Sequence, residues 1–283
     1  MGGTLWKIAG RRVDLSKRAM IMGVLNVTPD SFSDGGEFFT TEKAVEHGQR
    51  MGADGASIID VGGESTRPGA EAVSGDEELV RVVPVIEQLH ASISALISID
   101  TSKEIVARGA LEAGASIVND VTGGRGDPKM MALAAECGAA FIIMHMQGTP
   151  RSMQEAPHYD DVVSDVTNFF RQQYARALEC GIDSMAIAFD PGIGFGKTVA
   201  HNLLLLANLA LLRVEDRPIV VGVSRKSSLG KMIGSDAMGD RLAPTIAFTA
   251  LLRERGANVI RVHDVKENAA ALRVTEALLE TAK

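Results

Sequence analysis

Residues 22–36 read Met22-Gly-Val-Leu-Asn-Val-Thr-Pro-Asp-Ser-Phe-Ser-Asp-Gly-Gly36. The apolar run that begins at Ile21 stops abruptly at Asn26, and a segment rich in turn-forming residues follows. This pattern predicts a buried strand that delivers an amide side chain to the edge of a sheet. The loop after the strand carries the carboxylates Asp30 and Asp34 and ends in a pair of glycines.

The same arrangement of a strand followed by a helix recurs eight times along the chain. The apolar runs that predict strands are 21–25, 57–61, 96–99, 117–118, 141–144, 185–189, 219–223 and 259–262. The helical patterns that follow them are 42–51, 76–90, 103–113, 128–137, 162–180, 201–212, 242–255 and 269–281. Strands that alternate with helices of this length form parallel sheets with crossover helices. Eight such units in 283 residues predict an α/β fold, a single (β/α)₈ TIM barrel.

The barrel domain is predicted to span residues 18–283, because no linker-like or charge-block segment interrupts it. Residues 1–17 are predicted to form a short N-terminal hairpin extension, since apolar and polar residues alternate on both sides of Ala9-Gly10. Several helical patterns are followed by a glycine suited to the C′ position. These are Gly52, Gly114, Gly138, Gly181 and Gly256.

Composition excludes several classes of partner. The net charge of −7 and the isoelectric point near 5.4 argue against a nucleic-acid-binding or membrane-adsorbing surface. No apolar run approaches the ~20 residues that a membrane-spanning helix needs, and the N-terminus lacks the pattern of a secretory signal. Cys137 and Cys180 each precede a glycine near a helix end, which favours free thiols in a reducing compartment. We therefore expect a cytoplasmic protein with small-molecule partners.

Polar side chains lie at the predicted C-terminal ends of all eight strands. In a barrel these ends form one face, where active sites lie, so residues spread from position 26 to position 263 are predicted to converge. The set consists of Asn26, Asp60, Glu64, Asp100, Asn119, Asp120, His145, Asp190, Ser224, Arg225, Lys226, Arg261 and His263.

The segment from Asp190 to Thr198 contains a Gly-Lys-Thr sequence that resembles part of a phosphate-binding P-loop. Pro191 stands where that motif needs glycine, and the surrounding pattern is a barrel, so we interpret the segment as a glycine-rich turn. A carboxylate at Asp190 is costly in a barrel mouth unless it meets a partner such as the N–H donors of a heterocycle.

Two other strand ends carry carboxylates or amides. Asp100 could cap the following helix, but Thr101 and Ser102 are equally good caps, which leaves Asp100 available for a ligand. Asn119 and Asp120 supply one amide and one carboxylate, of which one could serve the turn that follows.

Cations are concentrated near the same predicted face. Arg67 lies in a loop bordered by glycines, which favours a lid that carries a cation to an anionic substrate, although a plain surface charge is the alternative. The last two strands end in Ser224-Arg225-Lys226 and Arg261-Val262-His263, at the position where such barrels commonly bind phosphate. The sequence has no His-x-x-x-His or Cys-x-x-Cys pattern that would indicate zinc.

Taken together, these motifs resemble the bacterial dihydropteroate synthases. The matching segments, in the family's order and spacing, are 22–36, 62–69, Asp100, Asn119-Asp120, 190–197, 224–226 and 261–264. The resemblance implies condensation of 6-hydroxymethyl-7,8-dihydropterin diphosphate with p-aminobenzoate to 7,8-dihydropteroate and diphosphate. It implies a folate-pathway transferase that uses Mg²⁺ and is a target of sulfonamides.

The resemblance also implies roles for individual residues. Those implied to be catalytic are Arg67, Asp100, Asp190 and Lys226. The pterin diphosphate would be bound by Thr66, Asp100, Asn119, Asp190, Lys226, Arg261 and His263, with Asn26 and Arg67 also near the diphosphate and Asn26 a ligand of Mg²⁺. The p-aminobenzoate pocket would be lined by Phe32, Thr66, Arg67, Pro68, Phe195 and Ser227.

Three alternatives remain open from the sequence: a corrinoid-dependent pterin methyltransferase, a catalytically silent pterin-binding paralogue, and a barrel for another phosphate ester. A methyltransferase would not account for the two basic strand ends. The retained Arg67, Lys226 and His263 argue against a catalytically silent paralogue.

Residues 242–252 are apolar nearly all round, whereas an outer barrel helix normally has one solvent-exposed face. We therefore expect a homodimer through the last two helices, with burial under the C-terminal tail as the alternative.

Overall fold

The computed structural model describes residues 4–28, 37–65, 72–149, 153 and 155–281. The predicted N-terminal hairpin is present, with β1 at Leu5–Ile8 and β2 at Arg11–Asp14 paired antiparallel. Its two turn residues both have positive φ, 48° at Ala9 and 72° at Gly10. This is the turn whose twist matches that of the flanking strands.

Eight parallel strands follow and form the predicted TIM barrel. They are β3 Met20–Asn26, β4 Ile58–Gly62, β5 Leu96–Asp100, β6 Ile117–Asp120, β7 Ala140–Met144, β8 Ile187–Asp190, β9 Val220–Gly222 and β10 Val259–Val262. Their order in the sheet is β8-β7-β6-β5-β4-β3-β10-β9. A parallel bridge between Phe189 and Ile219 joins the two ends and closes the barrel. The fold class is therefore confirmed, whereas the domain boundary at residue 17 stays a prediction.

Helices connect the strands on the outside. Among the described residues they are α1 Glu37–Asp54, α2 Gly75–Ser92, α3 Glu104–Glu112, α4 Met130–Glu136, α5 Val162–Glu179, α6 Val199–Ala207, α7 Ser227–Ile233, α8 Leu242–Glu254 and α9 Val265–Thr281. Side chains fix several of the starts. Ser74 accepts from the N3 amide of α2, Asp161 caps α5, and Thr198 forms a capping box with His201 at α6.

The interior and exterior of the barrel form two separate apolar clusters, because successive strand residues point to opposite faces. Interior side chains include Met22, Ile58, Ile117 and Ile142, and the hairpin adds Trp6 at the end where the strands begin. We call this the lower end, and the end where the strands finish the upper end. Exterior strand side chains pack against the helices in the larger cluster.

Four details of the sequence-based prediction were wrong. Gly52 lies inside α1, and Gly55, with φ of 109°, follows the helix instead. The strand predicted from residue 185 begins at Ile187, because Ser184–Ala186 forms a 3₁₀ turn. The helix predicted to end at 212 breaks at Asn208. Helix α7 was not predicted, since seven residues that include Gly230 carry little periodic signal.

No helix in the described part of the chain combines the length and the apolar character that a bilayer span requires.

Candidate active site

Period-two alternation places the candidate side chains at the upper end of the barrel interior. Each follows, two residues later, a residue whose side chain lies in the interior cluster: Asp60 follows Ile58, Asn119 follows Ile117, Asp190 follows Ala188, and Arg261 follows Val259. Asp100 pairs in register with Asn119 and with Gly62, so it lies in the same polar layer. The predicted convergence of strand ends is therefore observed for these positions.

Arg261 on β10 reaches past β3 to the carboxylates at the ends of β4 and β5. Its Nε donates to Asp60 Oδ2 at 2.6 Å and its Nη2 donates to Asp100 Oδ2 at 2.7 Å. Asn119 Nδ2 donates to the same Asp60 oxygen at 3.1 Å. The other oxygen, Asp60 Oδ1, is buried and has no hydrogen-bond partner among the described residues. A ligand that brings an N–H donor to this oxygen would remove a desolvation cost.

Asp100 and Asp190 are held in an environment that disfavours their charge. Burial raises the pKa of Asp100 to about 7, and the positive charge of Arg261 opposes that rise. Burial also raises the pKa of Asp190, against the attraction of Lys226. Buried, perturbed carboxylates in a cleft are typical of functional sites.

Lys226 approaches Asp190 from the neighbouring strand end. It is the N-cap residue of α7, and its Nζ donates to the carbonyl oxygen of Ile193. The same ammonium lies 4.8 Å from the ring centroid of Phe195, within cation–π distance. Burial lowers the pKa of Lys226 to about 8, while the charge of Asp190 opposes that fall. Ser227 follows as the first residue of α7, and its side chain is exposed.

The last strand end presents His263 beside Ser224. The backbone N–H of His263 donates to Ser224 Oγ at 3.1 Å, and the imidazole Nδ1 lies 3.0 Å from the same hydroxyl. Arg225 forms an ion pair with Asp264 at the exposed edge of this region. Of the two cations in the Ser-Arg-Lys segment, Arg225 is thus engaged outside and Lys226 inside.

Asn26 ends β3, at the same level as Gly62 in the neighbouring strand. Its side chain is half-buried, and an amide oxygen is a ligand type that Mg²⁺ accepts. Within the described residues, no group of three or more His, Cys, Asp or Glu side chains is placed to hold a metal ion.

The predicted site residues Phe32, Thr66, Arg67 and Pro68 lie outside the described residues, as do Asp30 and Asp34. Their placement in the site stays a prediction.

The segment after β8 is a glycine-rich turn, as predicted, and not a P-loop. Lys197 is 3% exposed and donates to backbone carbonyls of the turn and of His145, so it does not face a phosphate. Asp190 accepts from Gly192 N at 2.7 Å. The sequence contained no signal for this role of Lys197, because the contact depends on the left-handed backbone of glycines 192, 194 and 196.

The remaining strand-end carboxylates have structural partners. Asp120 accepts from the Thr122 N–H and hydroxyl and from Gly124 N, so it is the member of the Asn-Asp pair that serves the turn. The first backbone N–H groups of α3 bond to other side chains than Asp100: Lys103 N donates to Thr101 Oγ1 at 3.3 Å and Glu104 N donates to Asp127 Oδ2 at 3.2 Å. Glu64 accepts from Lys103 Nζ at 2.7 Å.

Comparison with known proteins identifies relatives of this chain. A family model described as pterin binding enzyme matches residues 22–263. Dihydropteroate synthase of Escherichia coli is 47% identical over 270 residues, which are 95% of this chain and 95% of that protein.

Solved structures agree with the sequence relatives. A Yersinia pestis dihydropteroate synthase with a sulfonamide drug complex has a TM-score of 0.91 at 43% identity, covering 98% of this chain and 100% of that one. A Xanthomonas albilineans dihydropteroate synthase with 4-aminobenzoic acid has a TM-score of 0.91 at 44% identity, covering 98% of this chain and 99% of that one.

Proposed function

The chain belongs to the family of pterin binding enzymes, and we infer that it catalyses the dihydropteroate synthase reaction. It is thus a transferase of folate synthesis that condenses 6-hydroxymethyl-7,8-dihydropterin diphosphate with p-aminobenzoate. The observation that carries this proposal is the polar layer in which Asp100, Asn119, Asp190 and Lys226 lie at one barrel mouth, in a chain 47% identical to a dihydropteroate synthase.

The pterin end of the substrate fits the carboxylates of this layer. An aminopyrimidine edge presents adjacent N–H donors, and an ionised carboxylate accepts two of them. One oxygen of Asp190 accepts a hydrogen bond from Gly192 N, and the carboxylate is attracted by the positive charge of Lys226. Asp100 and Asn119 offer a carboxylate and an amide from the neighbouring strands β5 and β6.

The diphosphate end fits the basic strand ends. Arg261 and His263 are separated by one residue on and after β10, so alternation directs both to the interior side. Arg261 is held by Asp60 and Asp100, which fixes its guanidinium. We propose that these two residues, with Arg67, bind the leaving diphosphate.

We propose Asn26 as a protein ligand of Mg²⁺. Its amide oxygen is a hard donor at the end of β3, and Mg²⁺ commonly takes one or two protein ligands with the rest from phosphate and water. When bound, Mg²⁺ would neutralise negative charge on the diphosphate.

The chemical step needs a stable leaving group and a positioned nucleophile. The bond between the pterin methylene carbon and the diphosphate oxygen breaks, and the diphosphate keeps the electron pair. The neutral amine of p-aminobenzoate forms the new carbon–nitrogen bond and then releases a proton to solvent. Because an aryl amine is neutral at pH 7, no strong general base is required, and orientation and charge stabilisation account for catalysis.

We place the p-aminobenzoate beside Phe195 and Ser227, next to the pterin site. Phe195 is half-buried and packs against the Lys226 ammonium, so its ring borders both substrates. Phe32, Thr66 and Pro68 complete this pocket in our proposal. Sulfonamides, which are aryl amines, would occupy the same pocket.

We also propose a homodimer through α8 and α9. Ala243, Ala247 and Leu251 are exposed at i, i+4 and i+8 on α8, and Val274 and Leu278 on α9 are 72% and 63% exposed. An unpartnered apolar face of this kind marks a protein interface.

Sedimentation at micromolar concentration should show a mass twice the 30.0 kDa of one chain, and Val274→Glu should lower the observed mass to that of one chain. A single 30.0 kDa species for the unmodified protein would remove the proposal.

A cytoplasmic location is part of the proposal, supported by the two free thiols at Cys137 and Cys180.

The proposed activity is tested by mixing the purified protein with the pterin diphosphate and p-aminobenzoate, with and without Mg²⁺. Formation of dihydropteroate with release of one diphosphate, stimulated by Mg²⁺, is the expected result. Absence of product with Mg²⁺ present, while the protein is folded and binds a pterin, would assign it to a binding role instead.

A further inference from the structure

The turn between β8 and α6 packs directly on the backbone that follows β7. Gly192 and Gly196 have φ of 63° and 62°. A Cβ atom on Gly192 would lie 1.9 Å from the His145 carbonyl oxygen, and one on Gly196 would lie 2.5 Å from the Gln147 carbonyl oxygen. Only glycine permits this approach, so the path of the turn is tied to the neighbouring loop.

The buried amino group of Lys197 holds the two loops together; burial lowers its pKa to about 7, and the charge of Asp190 opposes that fall. Lys197 Nζ donates to three carbonyl oxygens, those of Phe195 at 2.9 Å, Gly192 at 3.0 Å and His145 at 3.2 Å. It also lies 3.0 Å from His145 Nδ1. Burial lowers the pKa of His145 to about 2, so this imidazole is neutral. Because a lysine amino group has at most three N–H donors, Nδ1 shares one of them with the carbonyl oxygens. A lysine this buried is costly without such partners, and the proposed chemistry does not use it.

The groups that this turn supports differ in how they are anchored. Asp190 is a residue of β8, and Lys226 follows β9 at the start of α7, so both are also held by regular structure. Phe195 belongs to the turn alone. The turn also places the Ile193 carbonyl that accepts from Lys226. A shift of the turn would therefore displace the Phe195 ring more than either charged group.

We propose that Lys197 is a positioning residue that fixes the p-aminobenzoate side of the active site by clamping the turn that carries Phe195 to the His145 backbone. This proposal rests on the proposed function for its substrate, but its structural part concerns the turn itself.

Two further contacts hold the same turn from outside. Tyr159 Oη donates to the Gly196 carbonyl oxygen at 2.8 Å, and Gly194 N donates to Asn202 Oδ1 at 2.9 Å. Tyr159→Phe removes the first of these bonds and keeps the ring, so it is a milder perturbation of the same clamp.

The main experiment compares Lys197→Met with Lys129→Met, which removes a lysine with an exposed side chain on the outside of the barrel. For Lys197→Met we expect the KM for p-aminobenzoate to rise at least about tenfold. The dissociation constant of a pterin, measured by calorimetry, should change less than about threefold, because the protein carboxylates proposed to bind the pterin are on strand ends. Lys129→Met should leave both quantities unchanged.

Hydrogen exchange supplies a readout that does not depend on turnover. Backbone amides of 192–198 should exchange faster in Lys197→Met than in Lys129→Met, while amides of the β strands keep their rates. If the unmodified protein forms no dihydropteroate, the proposed function fails, and this exchange result still decides whether the clamp exists.

If Lys197→Met does not fold, Tyr159→Phe decides the question. It should raise the KM for p-aminobenzoate about two- to tenfold and leave pterin affinity unchanged. Two results overturn the proposal. One is an unchanged KM for p-aminobenzoate in the folded variant. The other is a loss of pterin affinity as large as the rise in KM, which would assign Lys197 to charge compensation of Asp190.

Discussion

At the lower end of the barrel the indole of Trp6 is fully buried among apolar side chains, whereas at the upper end Arg261 lies between Asp60 and Asp100. Both ends close the same interior, and both use residues distant in sequence. The one polar atom of the Trp6 indole is satisfied, because Nε1 donates to the Ala186 carbonyl oxygen at 3.0 Å. At the upper end, no described residue provides a hydrogen-bond partner for Asp60 Oδ1.

The two ends of the barrel therefore have different roles: the lower end stabilises the fold, and the upper end serves binding. Burial of apolar surface stabilises the fold directly, whereas buried charges are maintained at a cost that a ligand can offset. Variants at the lower end should therefore affect unfolding, and variants at the upper end should affect binding.

The largest expected effect is on stability, from Trp6→Ala. Removing a fully buried indole and leaving a cavity should lower the free energy of unfolding by about 3–5 kcal/mol. Pterin affinity of the molecules that remain folded should be unchanged, because the site is at the other end. Urea denaturation and calorimetric titration measure the two quantities. Trp6→Phe, which keeps most of the volume, is the matched control and should lose less; equal losses would argue against a packing role.

The second effect is on binding, from Asp190→Asn. An amide accepts only one N–H and presents a donor to the other, so pterin affinity should fall at least about tenfold. The free energy of unfolding should stay within about 1 kcal/mol, because the charged form is disfavoured by burial in the ligand-free protein. An unchanged dissociation constant would remove Asp190 from the site.

The third effect concerns pH and Asp100. With a pKa of about 7, Asp100 is half ionised at pH 7 and about one-tenth ionised at pH 6, so pterin affinity should fall about fivefold over that interval.

The same pKa shift determines how the free energy of unfolding depends on pH. The folded-state pKa exceeds the ordinary value of 3.8, so this group's contribution to the free energy of unfolding declines as pH rises from about 4 to 7. Denaturation across this range, with Asp100→Asn as reference, measures it; a contribution that increases with pH would contradict the shift.

The sequence was sufficient for the barrel and for most of the upper polar layer. Strand ends share one face by topology, so placing Asp100, Asn119 and Arg261 together needed only the strand count. The sequence could not show that Arg261 binds Asp60 and Asp100, because those contacts span 201 and 161 residues and depend on register. Asp60 was recognised as a strand-end residue but was assigned no role for this reason.

The loop-borne half of the site was harder to predict. The role of Lys197 depends on three glycines with positive φ and on a close approach to the His145 backbone, neither of which has a sequence period. Helix α7 was missed because its seven residues carry no amphipathic repeat, although they position Lys226 and Ser227.

We infer that Asp100 at the upper end is partly protonated in the ligand-free protein and becomes ionised when it accepts the N–H donors of a pterin. Calorimetric titration of a pterin without diphosphate at pH 7, in two buffers of different ionisation enthalpy, tests it directly. If binding ionises Asp100, whose pKa is about 7, about half a proton should be released per pterin bound, and the release should decrease at pH 8. Binding with no proton release, or with proton uptake at pH 7, would contradict the account.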